Sequence, residues 1–554
     1  MKLNLPRLFL YLLASIFIIN LLQGYFTELI FDEAYYWYYA QHMAWGYFDH
    51  PPMVALIIRI SSFFFSGELG VRFISTVLSA GTYIVLWLLI DNKTKNKYVI
   101  HYFILVFSMT LMHAYGFLTL PDTPLLFFTA LFLFIYKKFL KSPSLGIAII
   151  LGLAMAALMY SKYHAVLIIL FVLVSNLRLV FNRYAWLSVI IALLCYTPHF
   201  IWLFKNDFVS VKYHLFERPN RAYEFGDFTL GFFVNLIALF GLTFPWIYRA
   251  LLKTKKSDKF NKALLYLIYG VIAFFFISSF NRRVQTQWLI VICIPMIVVV
   301  YNQLLHDKIT RKWIFILGIA NISILMFLRI GLIYAPLFPI VYETHGNKAW
   351  VNEIKSKVGS IPVVFENSYQ EAPMYAFYSG STSYSLNNIW YRQNQYSIED
   401  TENLLQGRTI LYTSRYTDKG DISYRDAKGK RIYGSYIKNF ESFRKLRTIV
   451  KKPVKLSEDK HLLFKVYNPY PEDIELSKLT FGVVFLNKYK HVLEVQEIAA
   501  YPVPEEISIL KPKDTTSFKL IMPDPKINNA YYFKVSISEN ELYWGLNGEN
   551  VKLP

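Results

Sequence analysis

The chain has 554 residues, of which 55% are hydrophobic and 17% charged, where an ordinary soluble domain carries about 25% charged residues. A plain soluble globule is excluded. The 58 Lys and Arg against 38 Asp and Glu leave a formal charge of +20, which the cation bias of inner membrane loops explains in part, with no nucleic acid needed as a partner.

Lys2 and Arg7 precede the apolar run Leu8 to Leu22. It resembles a signal peptide, but Leu21-Leu22-Gln23-Gly24-Tyr25-Phe26 offers no small-residue cleavage site, so an uncleaved first membrane helix is expected. Eleven spans are predicted near residues 7–24, 70–90, 98–115, 124–141, 145–160, 164–180, 184–203, 229–248, 263–280, 286–305 and 313–334, each read as long enough for a hydrocarbon core of about 30 Å. With the amino terminus inside, every inner loop is basic: Lys93, Lys95 and Lys97; Lys137, Lys138 and Lys141; Arg178 and Arg183; the run Arg249 to Lys262; Lys308, Arg311 and Lys312. The odd number of spans then puts the tail outside. Pro51 to Phe65 begins with two prolines and is only about 15 residues long, too short for a comfortable span, and is read as a helix along the outer interface. Counting it as a span would move the lysine-rich loops outside.

After Pro339 the long apolar runs cease. Residues 345–450 read as mixed α/β, with strands at Ile361 to Phe365 and Thr409 to Tyr412 and a helix near Ala372 to Tyr378. From about 455 onward, short strands at Leu462 to Val466, Phe481 to Leu486, Ser517 to Ile521 and Tyr531 to Ile537 are separated by Pro, Asn and Asp turns, the pattern of a small β-sandwich. The expected fold class is a multi-spanning α-helical membrane protein with an outer α/β plus β-sandwich region. Its expected domains are 1–340, 341–450 and 451–554. The two cysteines, Cys195 and Cys293, both lie in apolar runs and support neither a disulfide framework nor a zinc site.

Ionisable residues at membrane depth or in short outer loops are expensive to place and are functional candidates. Asp32 and Glu33 stand just after the first span, Asp49 and His50 before Pro51-Pro52, and Asp122 between the prolines of Pro121-Asp122-Thr123-Pro124. The aromatic stretch Tyr35-Tyr36-Trp37-Tyr38-Tyr39 between the acids reads as an interfacial belt. The outer cations are Lys162, Arg218, Arg221, Arg282 and Arg283, which as a group suit a phosphate or pyrophosphate. Taken singly, helix capping explains Asp122, and solvation explains each cation.

The set Asp32-Glu33, Phe48-Asp49-His50-Pro51-Pro52, Pro121-Asp122-Thr123-Pro124 and Ser161-Lys162-Tyr163 closely resembles the bacterial membrane glycosyltransferases related to protein O-mannosyltransferases and to the aminoarabinose transferase that modifies lipid A. The resemblance covers roughly residues 7–335. It implies a GT-C fold and transfer of a sugar from a polyprenyl-phosphate donor to a lipid A or lipopolysaccharide, glycan or protein acceptor, on the periplasmic face of the inner membrane. It assigns catalytic roles to Asp32, Glu33 and Asp122, and sugar or donor-phosphate contacts to Asp49, His50 and Lys162. His50 departs from the lysine of the aminoarabinose branch and matches the His-Pro-Pro of the mannosyltransferase branch, which weakens aminoarabinose as the sugar. The chemistry suits these residue types: the leaving lipid phosphate is stable as an anion, so the reaction needs cations beside it and a base near the acceptor hydroxyl. Arg218, Arg221, Arg282 and Arg283 extend the cation set. Asp32, Asp49 and Asp122 offer hard oxygen ligands suited to a divalent metal. The competing class is a flippase or transporter of polyprenyl-linked sugars. Transporters generally hold their charges near the bilayer midplane on broken helices, whereas these acids lie in outer loops.

Overall fold

The computed structural model describes residues 5–338, 340–454 and 459–553; Lys2 and Pro339, used above as sequence markers, lie outside them. The chain forms two compact units, residues 1–205 with 223–346, and residues 206–222 with 347–554.

The first unit is helical. Helices α1 (Arg7–Phe26), α2 (Phe31–Gln41), α3 (Met53–Ser61), α4 (Gly67–Leu89), α5 (Val99–Phe107), α6 (Thr110–Ala114), α7 (Asp122–Lys141), α8 (Leu145–Ser161), α9 (Ala165–Ser175) and α10 (Arg183–Lys205) are followed by Gly231–Ala238, Phe244–Lys253, Lys259–Ser278, Cys293–His306 and Lys308–Ile333. Among the described residues six helices are long and apolar enough to cross a membrane, and a seventh span is counted if the bent pair Gly226–Ala238 and Gly241–Lys253 is taken as one. The chain is therefore a multi-pass membrane protein. All eleven predicted segments are helical, but α8, α9 and Ile290–His306 have only 10–17 residues, and 98–115 is divided into α5 and α6. The α3 helix, nine residues and so about 14 Å long, cannot reach across a core of about 30 Å.

Side-chain caps set several helix starts. Asp307 accepts from the N–H groups of Ile309 and Thr310 at 3.0 and 3.1 Å and from Lys253 Nζ at 2.8 Å. Those partners, Lys253 first, hold its carboxyl below the usual carboxylate range. Asp258 accepts from Asn261 N–H at 2.8 Å, and Ser144 caps α8 through Ile147 N–H at 3.4 Å. All three caps fall in loops that the charge pattern assigns to the inner face. Lys137 and Lys141 of the same face share Asp91 at 2.8 and 3.3 Å.

Two interruptions of the helices meet. The chain turns by 97° between Gly226–Ala238 and Gly241–Lys253, and α5 stops at Phe107 before α6 begins at Thr110. At the junction the Thr110 N–H donates to the Leu239 carbonyl at 3.1 Å. Asn321, on the last long helix, donates from Nδ2 to the Ser108 carbonyl at 2.6 Å and accepts from Leu242 N–H at 3.3 Å. Gly241 stands at φ +53°, and a Cβ there would come within 2.5 Å of the Asn321 amide. Only glycine combines that backbone with that approach.

The second unit carries strands β1 (Val363–Glu366), β2 (Ser383–Leu386), β3 (Arg408–Ser414), β4 (Ile422–Arg425) and β5 (Arg431–Phe440) in one sheet, order β2-β1-β3-β5-β4. The pairs β1–β2 and β1–β3 are parallel and the others antiparallel, with helices Asn347–Val358 and Glu371–Ser379 completing the expected α/β mixture. Strands β6 (Arg447–Val450), β7 (His461–Tyr467), β8 (Ile474–Glu475), β9 (Leu479–Leu486), β10 (Val492–Ile498), β11 (Ala500–Val503), β12 (Ile509–Leu510), β13 (Thr515–Ile521), β14 (Tyr532–Glu539) and β15 (Val551–Lys552) follow. They form two four-stranded sheets, β10-β9-β14-β15 and β11-β13-β7-β6, beside the small pair β12-β8. Alternate residues of both larger sheets, among them Phe464, Phe518, Phe481, Val483, Phe533 and Val535, fill one common core, which makes the pair a sandwich.

Candidate active site

The acids of the first segment expected to lie outside stand on a helix, not on a loop. The α2 helix begins at Phe31, so Asp32 and Glu33 occupy its first turn, where the helix dipole favours carboxylates. Tyr35, Tyr36, Tyr38 and Tyr39 are buried at 6% exposure or less. The expected interfacial belt is therefore mostly core packing, with Trp37, half-buried, the one member of the stretch that is not fully covered. Tyr39 stacks on Tyr47 at 4.2 Å between ring centroids, and the Tyr47 hydroxyl donates to the Tyr39 carbonyl at 3.0 Å. This folds residues 42–47 back over α2. Buried Asp49 lies within electrostatic reach of Tyr39, and His50 meets the Tyr36 ring edge-on at 5.5 Å.

Glu33 and Asp32 part company here. Glu33 is fully buried and bound by Arg72 of α4, with Nε to Oε1 at 2.8 Å and Nη2 to Oε2 at 2.5 Å. Its Oε1 also accepts from Thr119 N–H at 2.9 Å and its Oε2 from Ile30 N–H at 3.3 Å. That makes four bonds, about the capacity of a carboxylate. Arg72 adds bonds to the carbonyls of Gly24 at 3.1 Å, Thr27 at 2.5 Å and Glu28 at 3.0 Å, so its five N–H groups all have acceptors. The pair ties the end of α1, the start of α2, α4 and the Thr119 strand of chain together. The expectation that Glu33 takes part in the chemistry gives way to a positioning role, because no lone pair is left for a substrate. Asp32, one residue away and half-buried, lies on a different side of α2.

Asp122 opens α7 and Lys162 closes α8. Lys162 Nζ donates to both Asp122 oxygens, at 2.8 and 2.9 Å, and the two side chains are 7% and 5% exposed. The Pro121 and Pro124 flanks start α7 sharply, since proline suits a first helical turn. Buried Tyr115 lies within electrostatic reach of Asp122, Asp32 and Tyr342, which brings the first two acids to one end of the bundle.

His199 of α10 is buried, with Nδ1 2.7 Å from the Trp45 carbonyl and Nε2 3.2 Å from the Tyr163 hydroxyl. A carbonyl only accepts, so Nδ1 carries the proton and, in a neutral ring, Nε2 accepts from Tyr163. The 42–47 segment is thereby fixed to the residue after Lys162. Gly46 allows the approach: a Cβ there would lie 2.4 Å from the Trp202 ring and 2.9 Å from His199.

Among the predicted cations, Arg282 is half-buried and Arg283 exposed, so the neighbours differ as adjacent positions must. Arg218 and Arg221 belong to the second unit. Among the described residues no three His, Cys, Asp or Glu side chains gather as a metal-binding group. Asp122 gives both oxygens to Lys162, and Asp32, Asp49 and Asp122 do not fit one divalent-metal site. Sequence reasoning missed Arg72, His199 and Arg329. Arg329, also buried in a long apolar helix, donates to Asn20 Oδ1 at 2.7 Å and to the His113 carbonyl at 2.8 Å. A charge inside an apolar span is itself the signal that marks both arginines.

Residues 49–202 match the family model described as dolichyl-phosphate-mannose-protein mannosyltransferase, a stretch holding Asp49, His50, Asp122, Lys162 and His199. The lipid A galacturonosyltransferase RgtD of Rhizobium johnstonii is 24% identical over 294 residues, 47% of this chain and 58% of that protein; the chain thus spans little more than half the length of this curated relative. ArnT from Cupriavidus metallidurans shares the fold. Its undecaprenyl-phosphate-bound structure gives a TM-score of 0.56 at 13% identity, covering 78% of this chain and 98% of that one. Its apo structure gives 0.54 at 12%, covering 73% and 92%. The resemblance read from the motifs is borne out by these matches.

Proposed function

We propose that the protein is a membrane glycosyltransferase that moves a sugar from a polyprenyl-phosphate donor to a lipid A or lipopolysaccharide acceptor at the outer face of the inner membrane. The observation that carries this reading is the gathering of Asp32, Asp122 and Lys162 at one end of the bundle. Support for the donor comes from the ArnT fold, described with undecaprenyl phosphate, and for the acceptor from RgtD, a lipid A galacturonosyltransferase. A protein acceptor is the alternative that the mannosyltransferase-type match favours, and a glycan acceptor is the other alternative.

In this reading the anomeric carbon–oxygen bond to the lipid phosphate breaks while the acceptor oxygen forms the new bond, and the acceptor proton goes to Asp32. The departing phosphate is already a good anion, so catalysis rests on cations set in place beforehand. Two N–H groups of the Lys162 ammonium go to Asp122; the third is free by count to meet a phosphate oxygen. Asp122 holds that ammonium in place, Glu33 and Arg72 hold α2, and His199 holds the 42–47 segment. Asp49 and His50 orient the sugar. Arg282 is the better placed of its pair for the donor, being half-buried.

The test is turnover by purified protein, read as polyprenyl phosphate released from a sugar-loaded donor. Asp32→Asn keeps shape and hydrogen bonding but removes basicity, and should lower turnover by about two to four orders of magnitude with expression unchanged. Near-normal turnover would remove Asp32 as the base. A wild-type protein that moves the donor across the bilayer but releases no polyprenyl phosphate would refute the transferase reading.

A further inference from the structure

Away from the acids, α7 and α8 enclose an apolar groove of about 530 Å³. Its lining repeats at helical spacing on both walls: Phe128, Ile135 and Lys138 on α7, and Ile147, Ala154 and Ala157 on α8. From position 128 to 138 is ten residue steps, about 15 Å along a helix, or half of a hydrocarbon core of about 30 Å. The groove therefore has the depth of one leaflet.

One end of it is polar. Lys138 sits in the last turn of α7, and Ile147 in the first turn of α8 just after the 142–144 loop. Two lysines close to it in sequence are engaged, Lys137 and Lys141 by Asp91. Lys138 is exposed, and among the described residues it forms no ion pair; its ammonium rests 4.4 Å from the centroid of its own neighbour Phe134. The start of α8 adds a helix N-terminus, whose N–H groups favour an anion. An apolar slot one leaflet deep, closed at its water end by a free ammonium and a helix N-terminus, matches a lipid with one phosphate and a chain of leaflet length.

We infer that this groove binds an anionic glycerophospholipid, with one acyl chain between α7 and α8 and the headgroup phosphate on Lys138. The lysine-rich loop puts that headgroup on the cytoplasmic side, the end of α7 opposite Asp122, so the site is separate from the one that handles the donor. A long polyprenyl chain would overrun a slot of this depth.

The test uses native mass spectrometry of the full-length protein released from micelles holding equal phosphatidylglycerol and phosphatidylethanolamine, with and without undecaprenyl phosphate. The expected result is one retained phospholipid, anionic in preference by about fivefold or more, the scale of one lysine at a membrane surface. Lys138→Gln, an exposed change, should abolish the preference. Ala157→Phe, filling the groove from a half-exposed position, should reduce retention of both lipids while the melting temperature in detergent holds. Equal retention by the wild type, an undiminished preference in Lys138→Gln, unchanged retention in Ala157→Phe, or displacement by undecaprenyl phosphate would each overturn the inference.

Discussion

A double-mutant cycle on Asp122 and Lys162 separates what the pair does for the fold from what Lys162 does for the donor. Both side chains are 7% exposed or less and the contact is bidentate. Removing one partner leaves an uncompensated buried charge, which costs about 3–5 kcal/mol, whereas replacing both by neutral groups of similar size is often near neutral. Asp122→Asn and Lys162→Met alone should each lower the detergent melting temperature, by roughly 6–10 °C at about 2 °C per kcal/mol for a large domain. The double variant should recover most of that loss. Donor use should follow a different rule. If the third N–H of Lys162 meets the lipid phosphate, a charge-assisted hydrogen bond of about 1.5–3 kcal/mol is lost, equivalent to a rise in donor KM of about ten- to a hundredfold. The rise should persist in the double variant and be absent for the acceptor. Melting and steady-state kinetics on the four proteins read both quantities. A double variant as unstable as the singles would refute the coupled burial. A double variant with normal donor KM would show that the lysine serves only Asp122, and the phosphate would then lie elsewhere.

Arg72→Lys should be severe for a nominally conservative change, because three ammonium protons replace five guanidinium ones. At least two bonds at about 1.5–3 kcal/mol each are lost, so the melting temperature should fall well below that of Arg59→Lys, an exposed control. Equal melting of the two variants would contradict the anchor. A cysteine at Ser257 should react with an impermeant thiol reagent only from the cytoplasmic side, and one at Lys419 of the tail only from the periplasmic side; the reverse pattern would sink the topology. In the second unit, burial raises the Glu539 carboxyl to about 7, against the pull of Arg444. The folded state then binds that proton more tightly than the unfolded chain, so the contribution of Glu539 is full below about pH 4.5 and is lost as pH rises through about 7. Glu539→Gln should therefore match wild-type melting near pH 5 and exceed it near pH 8, and a difference independent of pH would exclude this assignment.

The elements that were legible in the sequence are those with a local pattern. Apolar runs gave helices at every expected segment, and strands β1, β3, β7, β9, β13 and β14 lie where alternation and turn residues predict them. The motif acids and Lys162 were legible because charges beside apolar runs are costly, and Asp122 and Lys162 do meet. What was not legible depends on distance along the chain. Glu33 and Asp32 look alike in sequence, and only Arg72, 39 residues on, turns one of them into an anchor. The helix Phe31–Gln41 was hidden by its own aromatics: a run of tyrosines suits a membrane interface as well as a core, and the difference lies in what covers it. His199, an isolated histidine in an apolar helix, has partners 154 and 36 residues away.

The junction at Asn321 bears on how the protein is made. Peptide groups freed by the break after Phe107 and by the corner near Leu239 find partners in one another and in the Asn321 amide, and within lipid no water is available to replace those partners. The segment 98–114 emerges from the ribosome more than two hundred residues before the last of them. Until residues 226–253 and 308–333 follow, the peptide groups at that break lack the partners that the finished junction gives them. A chain cut short before Asn321 would leave the Ser108 carbonyl and the Leu242 N–H without the amide that partners both, in surroundings where nothing replaces it.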